Sequence, residues 1–424
     1  MTHRYTAYFC GCLTANNEVN TRSLIDTGWK QEEDKEMATY QAKHIYYEEF
    51  LNFCAAKTPQ EGCVAWRYEM KEDERVGTCK NLLDQVVIYL VPALHCYILP
   101  FGIVIFAIEV TAVDEVMDNF ISIAVQLRRL AIPQGVADVL RKLKNIVTGN
   151  EQVELSEALD YGYKLKVFQI IDSDAAWNSE TNEERKQVLF RLGVIQSNNS
   201  AISTRFQDGY EEGVLNQHCT SVFNNWDALA LLDSFTIRSM QCEDWQMKEW
   251  QNAFFRMIYI QSLFQKFYLQ SLNQRFRAMV ENRSKDKLAN LLAEFEHYER
   301  ICQFNKVSYT FLPLLVDNAI DTSLEIKEER ELLSTYIKGE EKRHESDNER
   351  RINRLLLAIS CLTMFSAIWD LSSLMNEILP YNCFFCSTRR GYAIISSGLL
   401  IIVLVLIVFI YIMGKSRNRK RDQQ

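Results

Sequence analysis

The sequence predicts an α+β cytoplasmic domain with a mainly helical second half, then a long stalk helix that runs into a two-helix transmembrane hairpin at the C-terminus. Three observations predict this class. Residues 392–413 form an apolar run without a charge, long enough for a bilayer core of roughly 30 Å. Between Pro313 and Pro380 there is no further proline and Gly339 is the one glycine, so nothing obvious interrupts a helix across that stretch. Residues 1–115 mix Val-, Ile-, Tyr- and Phe-rich runs with turns, whereas from Asp114 onward apolar residues take helical spacing, as in Val116, Phe120, Ile123, Leu127 and Leu130.

Taken in order, 1–115 is an α+β cytoplasmic domain with strands expected at 5–13, 63–70, 86–91 and 96–110. The stretch 86–110 is apolar enough to imitate a membrane span. Its Pro92, His95, Pro100, Gly102 and Glu109, and its richness in β-formers, predict two buried strands bent around Pro100-Phe101-Gly102. Residues 116–313 read as a helical cytoplasmic region, with Leu288, Leu291, Leu292 and Phe295 as a later apolar face. A charged stalk helix covers 314–354 and continues into transmembrane helix 1 at 355–376. The uninterrupted helix would measure about 60 residues, or roughly 90 Å. An outer loop at 377–390, transmembrane helix 2 at 391–413 and a basic tail at 414–424 complete the chain.

Basic residues orient the hairpin. Arg350, Arg351 and Arg354 precede the first span, and Lys415, Arg417, Arg419, Lys420 and Arg421 follow the second, so both flanks stay inside. Arg389 and Arg390 in the outer loop are outnumbered. No basic start followed by an apolar run marks a secretory signal, and the expected topology is N-in, C-in in the inner membrane.

The composition excludes several classes. A net charge of -8 argues against direct nucleic-acid binding. Of the 12 cysteines, Cys10, Cys12, Cys54, Cys63 and Cys79 form the one grouping that invites a metal, yet without zinc-finger spacing; reduced, buried thiols are expected. Cys383 and Cys386 form a CFFC in the outer loop, where a local disulfide is plausible. No P-loop, GxSxG or HExxH is present and the six histidines are isolated, so no enzyme and no required cofactor are expected.

Two constellations carry chemistry. Asn353, Ser360, Thr363, Ser366, Asp370, Ser373 and Asn376 recur at steps of three, four or seven along the first span. Polar residues inside a bilayer face protein or water, so several copies would turn this side toward a shared aqueous path. Asp370, with Glu377 at the outer end, would repeat around the axis as negative girdles that favour cations. The alternative is a non-conducting anchor whose Ser and Thr merely let helices pack closely. The second constellation is basic: Arg128, Arg129, Arg141, Lys142 and Lys144 flank Pro133-Gln134-Gly135, as a phosphate-binding cluster or a solvated helix face.

With a cytoplasmic α/β domain, a long helix entering the membrane, a second helix and a basic tail, the chain resembles the CorA family of divalent-cation channels. The family's Gly-Met-Asn signature has its counterpart in Leu374-Met375-Asn376, followed by Glu377, with Met375 and Asn376 retained. The resemblance is firm over 314–424 and architectural before that. It implies a homo-pentamer, with Asn376 at the outer pore mouth meeting hydrated Mg²⁺ or another divalent cation as permeant or regulatory ion; Asp370, read from its place in the span, would be the second residue to meet that cation. Leu374, Asp370, Arg389 and Arg390 differ from a housekeeping Mg²⁺ transporter, and the altered signature together with a cytoplasmic domain unlike the usual transporter's makes the chain similar to the CorA-like effectors of type III CRISPR systems. That branch implies gating by a messenger joining S-adenosylmethionine to AMP (SAM-AMP) and membrane disruption in antiviral defence. The other expectation is a Mg²⁺ transporter regulated by its own metal.

Overall fold

The computed structural model describes residues 2–32, 40–160, 164–174, 181–196, 209–282, 285–304 and 306–378. The chain forms two compact units, Met1–Lys338 and Gly339–Gln424.

The first unit is built on a mixed sheet. Its strands are β1 (His3–Thr14), β2 (Lys30–Gln31), β3 (Val64–Glu69), β4 (Val76–Lys80), β5 (Val86–Leu90), β6 (Ala93–Ile98), β7 (Ile103–Asp114), β8 (Lys166–Ser173), β9 (Cys219–Phe223), β10 (Trp226–Leu231) and β11 (Ser234–Met240). Among the described residues the order is β2-β3-β6-β7-β1-β8-β11-β10-β9, with the β4–β5 hairpin joined through β5 to β7. β8 and β11 pair in parallel, and the other pairs are antiparallel. β1 lies at the centre, paired along its length with β7 and over His3–Cys10 with β8.

Helices cover both faces because β1 is apolar on both. Tyr5, Ala7, Phe9 and Leu13 point one way, toward α1 (Thr21–Asp26), the short α2 (Tyr40–Ile45) and α3 (Glu48–Cys54) lying elsewhere. On that same face are α4 (Met117–Leu127) and α5 (Gln134–Thr148). In α5, Val136, Val139, Leu140, Leu143 and Val147 take the i, i+3, i+4, i+7 spacing that buries one side of a helix. After α6 (Leu155–Ala158), α7 (Asn182–Val194) packs on β10 and β11 and is followed by α8 (Tyr210–His218).

The alternate residues of β1, Tyr8, Cys10 and Cys12, face a second core with α3 and the later helices. After α9 (Asp244–Glu249) comes a π-helical segment, Trp250–Tyr259, which passes into α10 (Ile260–Asn282). Phe255 of this segment stacks on Tyr8 with ring centroids 3.8 Å apart. α11 (Lys285–Cys302) and α12 (Phe311–Ser323) complete the layer, and α13 (Ile326–Ile378) follows.

Three expectations change. The apolar stretch 86–110 is indeed extended, but as β5, β6 and the first part of β7, because Pro100–Gly102 closes a tight 3-10 turn with Phe101 at φ 60. A domain boundary at 115 would cut the sheet, since the expected helical region 116–313 supplies β8 to β11. The expected stalk 314–354 is two helices: Glu325 adopts φ 56 between α12 and α13. Among the described residues the continuous helix therefore has 53 residues, a length of about 80 Å.

Among the described residues no helix is long and apolar enough to cross a membrane. Side chains of the first apolar run are described without a break only for 355–367, about 20 Å of helix against a core of roughly 30 Å. The loop from 379, Cys383, Cys386, the second span and the basic tail lie outside the described residues.

Candidate functional site

A cleft of about 420 Å³ opens where the β4–β5 turn, the end of α4, Lys164 and the end of α7 converge. Lys80, Arg128, Arg129 and Lys164 give it positive charge, and among the described residues none that lines it is acidic. Leu82, Ile121, Val125, Val194 and Ile195 form aliphatic walls. Ser122, Gln126 and Gln196 add groups able to form hydrogen bonds.

The walls are fastened to α4. Asn81 accepts from the Leu83 and Gln85 amides at 2.9 and 3.0 Å, which shapes the β4–β5 turn, and its Nδ2 donates to Asn119 on α4 at 3.0 Å. Arg191 of α7 meets Asp118 of α4 at 3.3 Å. Arg128 donates to Asp233 at 2.8 Å, and Lys166 holds the other oxygen of that carboxylate at 2.7 Å. Burial alone would raise the Asp233 pKa, but Lys166 and Arg128 together bring it below the usual value. Asp233 thus spends its charge on Lys166 and Arg128, leaving Arg129 outside that network. Lys80 lies 3.5 Å from Asp84 in an exposed pair worth little.

The basic cluster read from the sequence divides. Arg128 and Arg129 line the cleft, whereas Arg141 pairs with Asp138 on the exposed side of α5 at 2.8 Å and Lys142 is exposed. Lys144 is fully buried and donates to the Asn150 and Val153 carbonyls at 2.6 and 2.7 Å, closing the chain after α5. Lys80, Lys164 and Gln196 carried no signal in the sequence, since the fold alone brings them beside α4.

The grouped cysteines also separate. Cys10, Cys12, Cys54 and Cys63 lie in one core and Cys79 in the other. Burial pushes the Cys10 and Cys12 thiols up, as expected of inert core residues. No group of three metal-binding side chains occurs among the described residues.

The second candidate is α13. Leu355, Leu356, Leu357, Ile359, Leu362 and Phe365 are between 41% and 70% exposed and point around the whole axis. A helix that is apolar on all sides is covered by a large core or by lipid. At 100° per residue the positions of Thr363, Ser366, Asp370 and Ser373 share an arc of about 80°. Ser360 and Asn353 lie roughly 60–80° to one side of it and Asn376 about 60° to the other. The polar set therefore winds around the helix instead of forming a straight stripe. Asn353, Ser360, Thr363, Ser366 and Asp370 are exposed, and Thr363 Oγ1 donates to the Ser360 carbonyl at 3.0 Å. Side chains of Ser373, Met375, Asn376 and Glu377 lie outside the described ones.

The first turn of α13 is tied to α10. Lys266, with its side chain 5% exposed, donates to Glu329 Oε1 at 3.2 Å, and Asn273 donates to Oε2 at 2.8 Å. Beside this contact Asp317 and Asp321 stand one helical turn apart on α12. Burial raises both pKa values, Asp321 to about 6; Ser262, which donates to Asp321 at 3.1 Å, and Arg330 of α13 oppose the rise.

A raised carboxyl pKa favours the folded state at low pH. The contribution fades as pH climbs from the unfolded value near 4 through about 6, a loss of up to ~3 kcal/mol. Asp321→Asn keeps an acceptor for Ser262 and is expected to raise the melting temperature at pH 7 while leaving it nearly unchanged at pH 4. Thermal unfolding across that range checks this; equal melting curves at pH 7 would refute it.

Comparison of the chain with protein-family models, with curated proteins and with solved structures gives no match.

Proposed function

We propose that the protein is a homo-pentameric ion channel of the CorA type, held in the inner membrane with both termini inside and opened by a nucleotide messenger as a type III CRISPR antiviral effector. The observation that carries this reading is α13. One unbroken helix begins at the Lys266–Glu329 contact, becomes apolar on every side from Leu355, and then presents Thr363, Ser366 and Asp370 on one arc. The apolar sides suit lipid and neighbouring helices, and the polar arc suits a shared aqueous path. Leu374-Met375-Asn376 at its end supports the CorA resemblance, with Asn376 and Glu377 at the outer mouth and a hydrated divalent cation as the ion met there.

A ligand that prefers one arrangement of the first unit by a few kcal/mol would shift the population of open pores. The SAM-AMP branch of the resemblance supplies the messenger, and the cleft beside α4 offers a place for its phosphate. Ion flux from liposomes holding the purified protein, read with Mg²⁺ and K⁺ reporters, is expected to rise at least tenfold on adding the SAM-AMP conjugate. Mg²⁺ uptake that ignores the conjugate and is shut off by internal Mg²⁺ would make the protein a metal-regulated transporter instead. Absence of any flux would leave a membrane anchor.

A further inference from the structure

We infer that the cleft between the β4–β5 turn, α4 and the end of α7 is a binding site for a small phosphate-bearing molecule of nucleotide type, with Arg129, Lys80 and Lys164 around the phosphate. The inference deepens the proposed messenger control by naming the site and its ligand class, and it rests on that reading only for its role in gating.

Composition points to the ligand. Four cations line one small cleft and no acid does so among the described residues; Asp233 is committed to Arg128 and Lys166, and Asp84 beside the cleft lies 3.5 Å from Lys80 in an exposed pair. In a chain of net charge -8, such a concentration of positive charge raises the local concentration of anions. A bare phosphate would leave most of the 420 Å³ empty, and that volume lies within the range of cofactor-sized sites. The aliphatic walls made by Leu82, Ile121 and Val125 cover an uncharged body, while Gln126 and Ser122 can read its polar edge.

Backbone geometry points to the same place. Among the described residues six non-glycine residues have positive φ, and one of them, Ile195, lines this cleft as the left-handed cap that ends α7. Ile195, at φ 54, is β-branched and pays the largest steric cost for that conformation. Strain of this kind persists where surrounding structure holds it and gathers at ligand sites. The Asn81 and Arg191 contacts to α4 hold the rim in place before a ligand arrives, which lowers the cost of binding.

The experiment is isothermal titration of the full-length protein in detergent micelles with AMP, with adenosine and inorganic phosphate as separate arms. AMP is expected to bind at least tenfold more tightly than either fragment, and more weakly as salt rises. Arg129→Glu and Lys164→Glu are each expected to weaken AMP at least tenfold, since each replaces a charge-assisted contact by repulsion. Arg141→Glu makes the same change of charge away from the cleft and should leave the affinity within twofold. Melting curves confirm that each variant is folded. Failure of AMP to bind the folded wild-type chain overturns the inference, as does equal weakening by Arg141→Glu and Arg129→Glu. If AMP binds through Arg129 and yet the conjugate opens no flux, the site stands and the gating scheme falls. If flux responds to the conjugate in Arg129→Glu, gating stands and this site is refuted.

Discussion

Asp370→Leu is expected to reduce cation flux through the reconstituted protein at least tenfold, with the oligomer still assembled. Asp370 sits with Thr363 and Ser366 on one arc of α13, and a carboxylate at membrane depth is tolerated where it meets water or a partner. Repeated around an axis it would draw cations into the path. Leu is close in size and removes the charge, so the loss would fall on conduction and not on packing. Flux is read in the same liposomes, and assembly by mass of the solubilised complex. Unchanged flux would place Asp370 outside the conducting path, and a collapse of assembly without residual flux would favour the packing alternative.

Lys266→Met is the second large effect. It leaves the Glu329 carboxylate with Asn273 as its remaining side-chain donor among these contacts, at a half-buried position. A loss of about 2–3 kcal/mol follows from leaving a charge without its partner. The melting temperature of the first unit should fall by roughly 5–10 °C. Because this contact fixes the first turn of α13, conjugate-induced flux should fall further than melting alone accounts for at 25 °C. The double variant Lys266→Met with Glu329→Met removes both charges and is expected to recover most of the melting temperature. If it also recovers full gating, the ion pair serves stability and not transmission.

The parts legible in the sequence were those written in local pattern. The strands within 86–110 followed from β-branched and aromatic residues broken by Pro92 and Pro100, helix spacing identified α4, and the lack of proline between Pro313 and Pro380 identified the long α13. Sheet order was not legible, because β8 to β11 lie among helices and join the sheet through β8, whose partner β1 lies more than a hundred residues away. A change of local pattern at 115 therefore looked like a domain boundary and is an internal joint of one sheet. The break at Glu325 left no proline or glycine as a marker; a non-glycine residue at positive φ is held there by the surrounding structure. In the cleft, Arg128 and Arg129 were visible as neighbours in sequence. Their association with Arg141 and Lys144 followed from nearness in sequence around Pro133-Gln134-Gly135, but Lys144 is turned inward to carbonyls that only the folded chain brings to it.

The position of β1 has a kinetic consequence. Its register joins His3 to Asp114 on one side and to Ser173 on the other, so the middle of the sheet cannot form from near neighbours. Closing loops of that span is slow, and until they close the strand leaves an apolar edge open to other chains. Refolding from denaturant should accordingly have a slow, concentration-sensitive phase, and dilute protein should recover in higher yield. The centre of the sheet then acts as the last clasp of the first unit, not as its seed.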